Sequence, residues 1–246
     1  MEILNMSKSL IFAAVLAMAF PASIAQADNL KLTSLDWPPY SGKGLEDNGS
    51  SAKTVKKLLA AAGHSVSFDF FPWNRAVAEG LGNPEYVGYF PEYYSTALDA
   101  EKSKDGKCLF SNSFGSSPVG FVQQSNAPVK WTSYDDLKKL NVGVVSGYVN
   151  EERFDAMVAD GSLKVQKVTA DVLNIRKIAK GRLDLAVIDS NVLNYLLKAD
   201  KSLTKLADKV EMNSKLLKEH GLHICFPNTE TGKSARASFN KALMAN

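Results

Sequence analysis

Cysteine and histidine are scarce, at two and three in 246 residues. His64, His220 and His223 do not cluster with cysteines or carboxylates at ligand spacing, so neither a metal nor another cofactor is expected. The sequence lacks a glycine-rich phosphate loop with its lysine, and it lacks a Gly-x-Ser-x-Gly elbow. Nucleotide and α/β-hydrolase chemistry therefore have no signature here. The formal net charge is +3 without any basic block, which argues against a nucleic-acid surface. The apolar run at residues 10–20 is too short to span a bilayer comfortably. It comes after Lys8 and precedes Ala25-Gln26-Ala27, a small-x-small cleavage site, so residues 1–27 read as a signal peptide. No cysteine stands near that site to carry a lipid anchor, and a soluble exported chain from Asp28 onward is expected.

The exported chain is long for one compact domain and suits two small lobes. Export and an even count permit a Cys108–Cys225 disulfide. Both residues lie in apolar, strand-like stretches (KCLFS and LHICF), so two buried free thiols are the alternative. A bridge closing a loop of roughly 100 residues contributes on the order of 4 kcal/mol.

The chain is organised around residues 30–40, LKLTSLDWPPY. Leu30 and Leu32 mark a strand, which Pro38 and Pro39 cannot continue because they bring no backbone donors. A helix is predicted over 50–63, a strand over 65–71 ended by Pro72, and a short helix from Trp73 to Gly80. A third strand over 86–90 is expected to stop at Pro91. Residues 109–123, with Gly115, Ser116, Ser117 and Pro118 at their centre, read as a crossover rather than a sheet interior. A second α/β unit comes next: a Ser133/Asp136 capping box, strands at 142–145, 163–168 and 183–188, and helices between them, one capped by Thr169. Residues 203–218 read as a solvated, lysine-rich connection back to a strand at 222–226 and a final helix at 233–244.

Strand ends carry residues that are costly to place in a core. These are Trp37 with Tyr40, Trp73 with Arg75, and Asp189; Gly147 adds a turn leading into a helix. Aromatic faces suit an apolar or cationic group, a carboxylate suits a cation, and backbone N–H groups at a helix start suit an anion. Each residue also has a plainer reading. The rings could cap the core, Asp189 could cap the following helix, Arg75 and Glu92 could be solvated, and Tyr148 could be lid packing or surface.

Taken in order, LTSLDWPPYS, SFDFFPWNRAVAEG, FSNSFGSSPVGFV, WTSYDDLKKLNVGVVSGYVNEERF, GRLDLAVIDSNVLNYLL and FNKAL resemble the family-3 periplasmic solute-binding proteins of ABC importers, the polar amino-acid-binding class. The resemblance covers nearly all of the exported chain. It implies a type II periplasmic-binding-protein fold of α/β class. Each lobe would be a small mixed sheet flanked by helices, with two crossover segments as the hinge. Lobe one would hold residues 28–118 and 210–246, and lobe two residues 119–209.

The resemblance also implies site roles. Trp37 and Trp73 match the two aromatics that flank a ligand side chain. Tyr89, Phe90 and Glu92 match a segment supplying backbone and hydroxyl contacts. Val145, Val149 and Asn150, around Gly147, match the lobe-two turn that helps hold a ligand carboxylate, and Asp189 matches the partner of an α-ammonium. The family's carboxylate-clamping arginine, however, is missing from PEYYSTALDAEKSKDG. Arg75 would have to replace it, or the ligand is not an ordinary α-amino acid, and lysine is a poor substitute for a bidentate guanidinium. The expected function is periplasmic capture of a small polar, amine-bearing solute, an amino acid or one like it, by a monomer that closes about a hinge and delivers it to an ABC permease. The alternatives are a sensory binding protein without transport and, less favoured, a dehydratase-like enzyme using Glu92.

Overall fold

The computed structural model describes residues 29–245, so the expected leader lies outside the described residues. Lobe one begins with β1 (Asn29–Ser34), which buries Leu30 and Leu32 and runs parallel to β2 (Ser65–Phe70) over six residues. Between them α1 (Ser50–Ala61) lays Val55, Leu58 and Leu59 on the sheet and ends at Gly63, whose φ of 87° lets the chain leave the helix. Pro72 then starts α2 (Trp73–Gly82).

The next strand, β3 (Tyr89–Tyr93), does not stop at Pro91 as expected. Its pairing with β9 (Val210–Pro227) is irregular between Tyr89 and Glu92, so the proline's missing donor falls where the ladder is already broken. Two further expectations are corrected in the same region. Residues 109–123 form β4 (Cys108–Phe110) and then β5 (Gly115–Gln124), so the segment that passes between the lobes is itself a strand inside the sheet. Pro118 is tolerated there because β8 (Leu185–Asp189) joins that flank only from Val119 onward. The lysine-rich stretch at 203–218 also turns into strand: after a short 3-10 turn at Thr204–Leu206, its residues from Val210 on form the first half of the 18-residue β9, mostly exposed.

Lobe two holds α3 (Tyr134–Leu137), β6 (Val142–Val145), α4 (Glu152–Ala159), β7 (Val165–Val168), α5 (Asp171–Ala179), β8 and α6 (Ser190–Ala199). The Ser133/Asp136 capping box forms, and its backbone donors hold the Asp136 carboxyl well below the usual range. The helix α5 is capped at Ala170 rather than Thr169. The last helix, α7 (Glu230–Met244), returns to lobe one and buries Ala235 and Phe239. Because β5 and β9 pair with each other from Gly115↔Leu222 to Gln124↔Val210, both lobes share one path, β2-β1-β3-β9-β5-β8-β6-β7, with β4 on β9.

Two apolar clusters result. One is the interior of lobe one, including Leu32, Leu59, Phe90, Phe226 and Phe239. The other runs without a break from Trp37 and Trp73 through Phe121 to Ile175 and Ile178, so the gap between the lobes is closed. Cys108 and Cys225 are bridged, with Cα atoms 5.1 Å apart, tying β4 to β9 across a separation of 117 residues. Replacing both by alanine is expected to remove on the order of 4 kcal/mol of unfolding free energy. A guanidinium titration would show it as a lower midpoint, reproduced in the parent by reductant. An unchanged midpoint would mean that the bridge contributes nothing.

Candidate functional site

The strand end after β1 is folded into a tight turn in which the Trp37 carbonyl accepts from the N–H groups of Tyr40 and Ser41. This stacks the Trp37 and Tyr40 rings at 4.6 Å. Trp73, the first residue of α2, meets Tyr89 edge-on at 5.4 Å and Tyr148 of the opposite lobe at 5.8 Å. Its indole N–H donates to the Gly147 carbonyl across the gap, at 3.0 Å. Tyr93 meets Trp37 at 6.0 Å and stacks on His220 at 4.2 Å, while His220 Nε2 donates to the Asn150 carbonyl.

Between these rings lie two adjoining hollows that share Trp37, Tyr93, Tyr148 and Val149 as walls. One reaches Glu92; the other reaches Asp171 and Asp189. Their cavity volumes are about 20 and 10 Å³, room for roughly one water molecule each. Neither holds a solute of amino-acid size as it stands; wider hollows of about 570 and 560 Å³ open beside them, one at Trp37, Trp73 and Asp171, the other at Glu92 and Gly147 with Lys107.

The electrostatics are one-sided. Asp189, at the end of β8, caps α6 by accepting from the Val192 N–H at 2.8 Å. It also accepts from the Tyr40 hydroxyl at 3.0 Å and from Ser117, and burial raises its pKa. Glu92 is 4% exposed and takes the Tyr93 N–H at 2.7 Å and the Tyr89 hydroxyl at 3.1 Å. Burial pushes its carboxyl up to about 8. Asp171, on the first turn of α5, is lifted to about 7 by burial and then by Asp189, against its own N–H and the Trp37 indole. Among the described residues, no lysine or arginine lines either small hollow.

No family model matches the sequence, and no curated protein matches it. Solved structures do. The GluR0 ligand-binding core from Nostoc punctiforme in complex with L-glutamate is 16% identical, covering 88% of this chain and 92% of that one, with a TM-score of 0.67. An arginine transport-system periplasmic binding protein from Legionella pneumophila is 17% identical over 89% and 93%, at 0.67. A histidine kinase sensor domain with similarity to periplasmic binding proteins is 12% identical over 89% and 90%, at 0.72. The chain has the periplasmic-binding-protein fold.

Within that fold, Trp37, Trp73, Glu92, Tyr148, Val149, Asn150 and Asp189 gather at the closed gap between the lobes. Tyr40 and Tyr89 stand behind the walls, with their hydroxyls on Asp189 and Glu92. Gly147 touches the cleft through its backbone. Three residues lie elsewhere. Arg75 faces solvent, its guanidinium over Phe71 at 4.5 Å and near Glu79 at 3.5 Å. Phe90 packs on Phe68 in the interior of lobe one, and Val145 is buried and lines neither hollow.

Sequence reading missed Tyr93, because the strand was ended at Pro91. It missed Asp171 because an acid on the first turn of a helix is ordinary dipole chemistry. Asp171 nonetheless stands just past the end of β7, the same kind of position that singled out Asp189.

Two outcomes are expected. Glu92 binds its proton more tightly when folded (about 8) than unfolded (4.5), so its contribution to stability is full below about pH 4.5 and is lost as pH rises through 8. Melting curves of Glu92→Gln should sit several degrees above the parent near pH 9 and converge with it near pH 4.5. A pH-independent offset would contradict this. At Gly147, where φ is 85°, an added Cβ would strain the backbone and would meet the Asn74 side chain and, at 3.3 Å, the Trp73 ring, both in the opposite lobe. Gly147→Ala should therefore wedge the cleft open, increasing the radius of gyration by small-angle scattering and weakening ligand binding about tenfold, or ~1.4 kcal/mol. An unchanged radius would place the wedge wrongly.

Proposed function

We propose that this chain is a binding protein, not an enzyme, which captures a small polar, amine-bearing solute between its lobes and delivers it from the periplasm to an ABC permease. The observation carrying the reading is the closed gap itself, walled by Trp37, Trp73, Tyr93 and Tyr148 and lined by three carboxylates without a cation. Aromatic faces and buried acids together suit an ammonium group. The solved neighbours support the class: one is in complex with L-glutamate, another is named as an arginine transport protein.

The mechanism is population shift. In the empty protein, closure brings Glu92, Asp171 and Asp189 together in a poorly hydrated space, which is costly when they are ionised. An amine landing on the rings of lobe one offsets that cost. The closed form then gains what the open form cannot, contacts to both lobes at once. Closure is latched by polar contacts: Trp73 to Gly147, Tyr40 to Asp189, Asn191 Nδ2 to the Tyr40 hydroxyl at 2.8 Å, and His220 to Asn150.

A sensory role is the second reading, supported by the likeness to a histidine kinase sensor domain. An acid–base enzyme could use the raised Glu92, but each of its oxygens already accepts a protein hydrogen bond. Both transport and sensing require the same capture step. In a thermal-shift screen of amino acids, polyamines and quaternary amines, at least one amine should raise the melting temperature and be recovered chemically unchanged. Trp37→Ala and Asp189→Asn should each weaken that hit at least tenfold. Unchanged affinity in both variants would remove the cleft as the site.

A further inference from the structure

The geometry points to a ligand with two cationic groups and no carboxylate, a diamine or guanidino-amine rather than an α-amino acid. This deepens the capture reading above and rests on it.

The charge inventory carries the inference. Glu92 stands at one hollow and Asp171 with Asp189 at the other, with Trp37, Tyr93 and Tyr148 between. The three acids are not equally served. Asp189 is filled by Val192, Tyr40 and Ser117. Glu92 and Asp171 each have two protein donors for about four acceptor sites, and both are buried. Two under-served acids in adjoining hollows ask for two positive charges, and the rings between them suit the alkyl chain and cationic ends of one molecule.

Among the described residues, no cationic side chain is arranged in the cleft to take a carboxylate. Arg75 points outward onto Phe71 and Glu79. His220 is stacked on Tyr93 and committed to the Asn150 carbonyl, and burial lowers its pKa, favouring the neutral ring. The lobe-two turn is the remaining candidate; the N–H groups of Gly147 and Val149 stay open there, while its other donors are spent within its own lobe. Ser146 N–H donates to Val168 at 2.8 Å, and Tyr148 N–H to Val145 at 3.3 Å. Asn150 gives its backbone N–H to Asp155 at 2.8 Å and its amide to Asp155 at 2.7 Å. A ligand carboxylate would thus enter as a further anion with few donors to meet it.

The test uses matched pairs that differ only by that carboxylate: agmatine against L-arginine and cadaverine against L-lysine, titrated calorimetrically into the exported chain. The decarboxylated member of at least one pair should bind at least tenfold tighter. Asp171→Asn and Glu92→Gln, both near-isosteric, should each reduce its affinity at least tenfold. If arginine or lysine binds as tightly as its decarboxylated partner, the dication class is overturned while the cleft survives as an amine site. If neither member of either pair binds the folded protein, and no amine in the thermal-shift screen does, both readings fall together.

Discussion

Glu92, at one small hollow, and Asp171 with Asp189, at the next, lie in a gap that the closed lobes have nearly emptied of room for water, and among the described residues no lysine or arginine lines either hollow. A buried carboxylate must be protonated, hydrogen-bonded or paired. Asp189 takes the second course; Glu92 and Asp171 take part of the first, with carboxyls lifted to about 8 and about 7. The closed conformation therefore carries an electrostatic cost near neutral pH that a cation would relieve. In the proposed capture, coupling between binding and closure needs no separate device, because the same burial that penalises the empty form increases the benefit of an arriving positive charge.

The contacts that hold the gap shut are suited to being broken. The lobes meet through a few hydrogen bonds and ring edges around Trp73, Tyr40 and His220, and Gly147 allows the backbone of lobe two to lie against Asn74 and Trp73. Beneath them β5 and β9 pass between the lobes as paired strands. Their pairing is irregular around Gly120, which interrupts the ladder within the crossover. The Cys108–Cys225 bridge ties β4 to β9 within lobe one, at the far end of β9 from its pairing with Gln124.

Much of the local structure was legible. The helix at 50–61, its glycine exit, the two strands it joins and the capping box at Ser133 arise from periodicity and end signals over a few residues. The reading faltered where tertiary pairing overrode local chemistry. Pro91 and Pro118 looked like strand breakers, but each falls where no ladder partner is lost. The lysines of 205–218 looked like a solvated tether, but Lys215 and Lys218 stay exposed on a strand whose backbone is paired with β5. Once β3 was cut short at Pro91, Tyr93 disappeared from the site.

By itself the sequence determined the order of α/β units, the delivery of Trp37, Trp73 and Asp189 to strand ends, and the lack of an arginine in PEYYSTALDAEKSKDG, where the resemblance implies one. Those features depend on the identity of a residue and a few neighbours. Only the tertiary structure decided which strand ends face one another, that Arg75 turns to solvent and Phe90 inward, and that Asp171 joins Asp189 within reach of its charge. Burial and charge coupling arise between residues far apart in the chain, and one-dimensional spacing does not encode them.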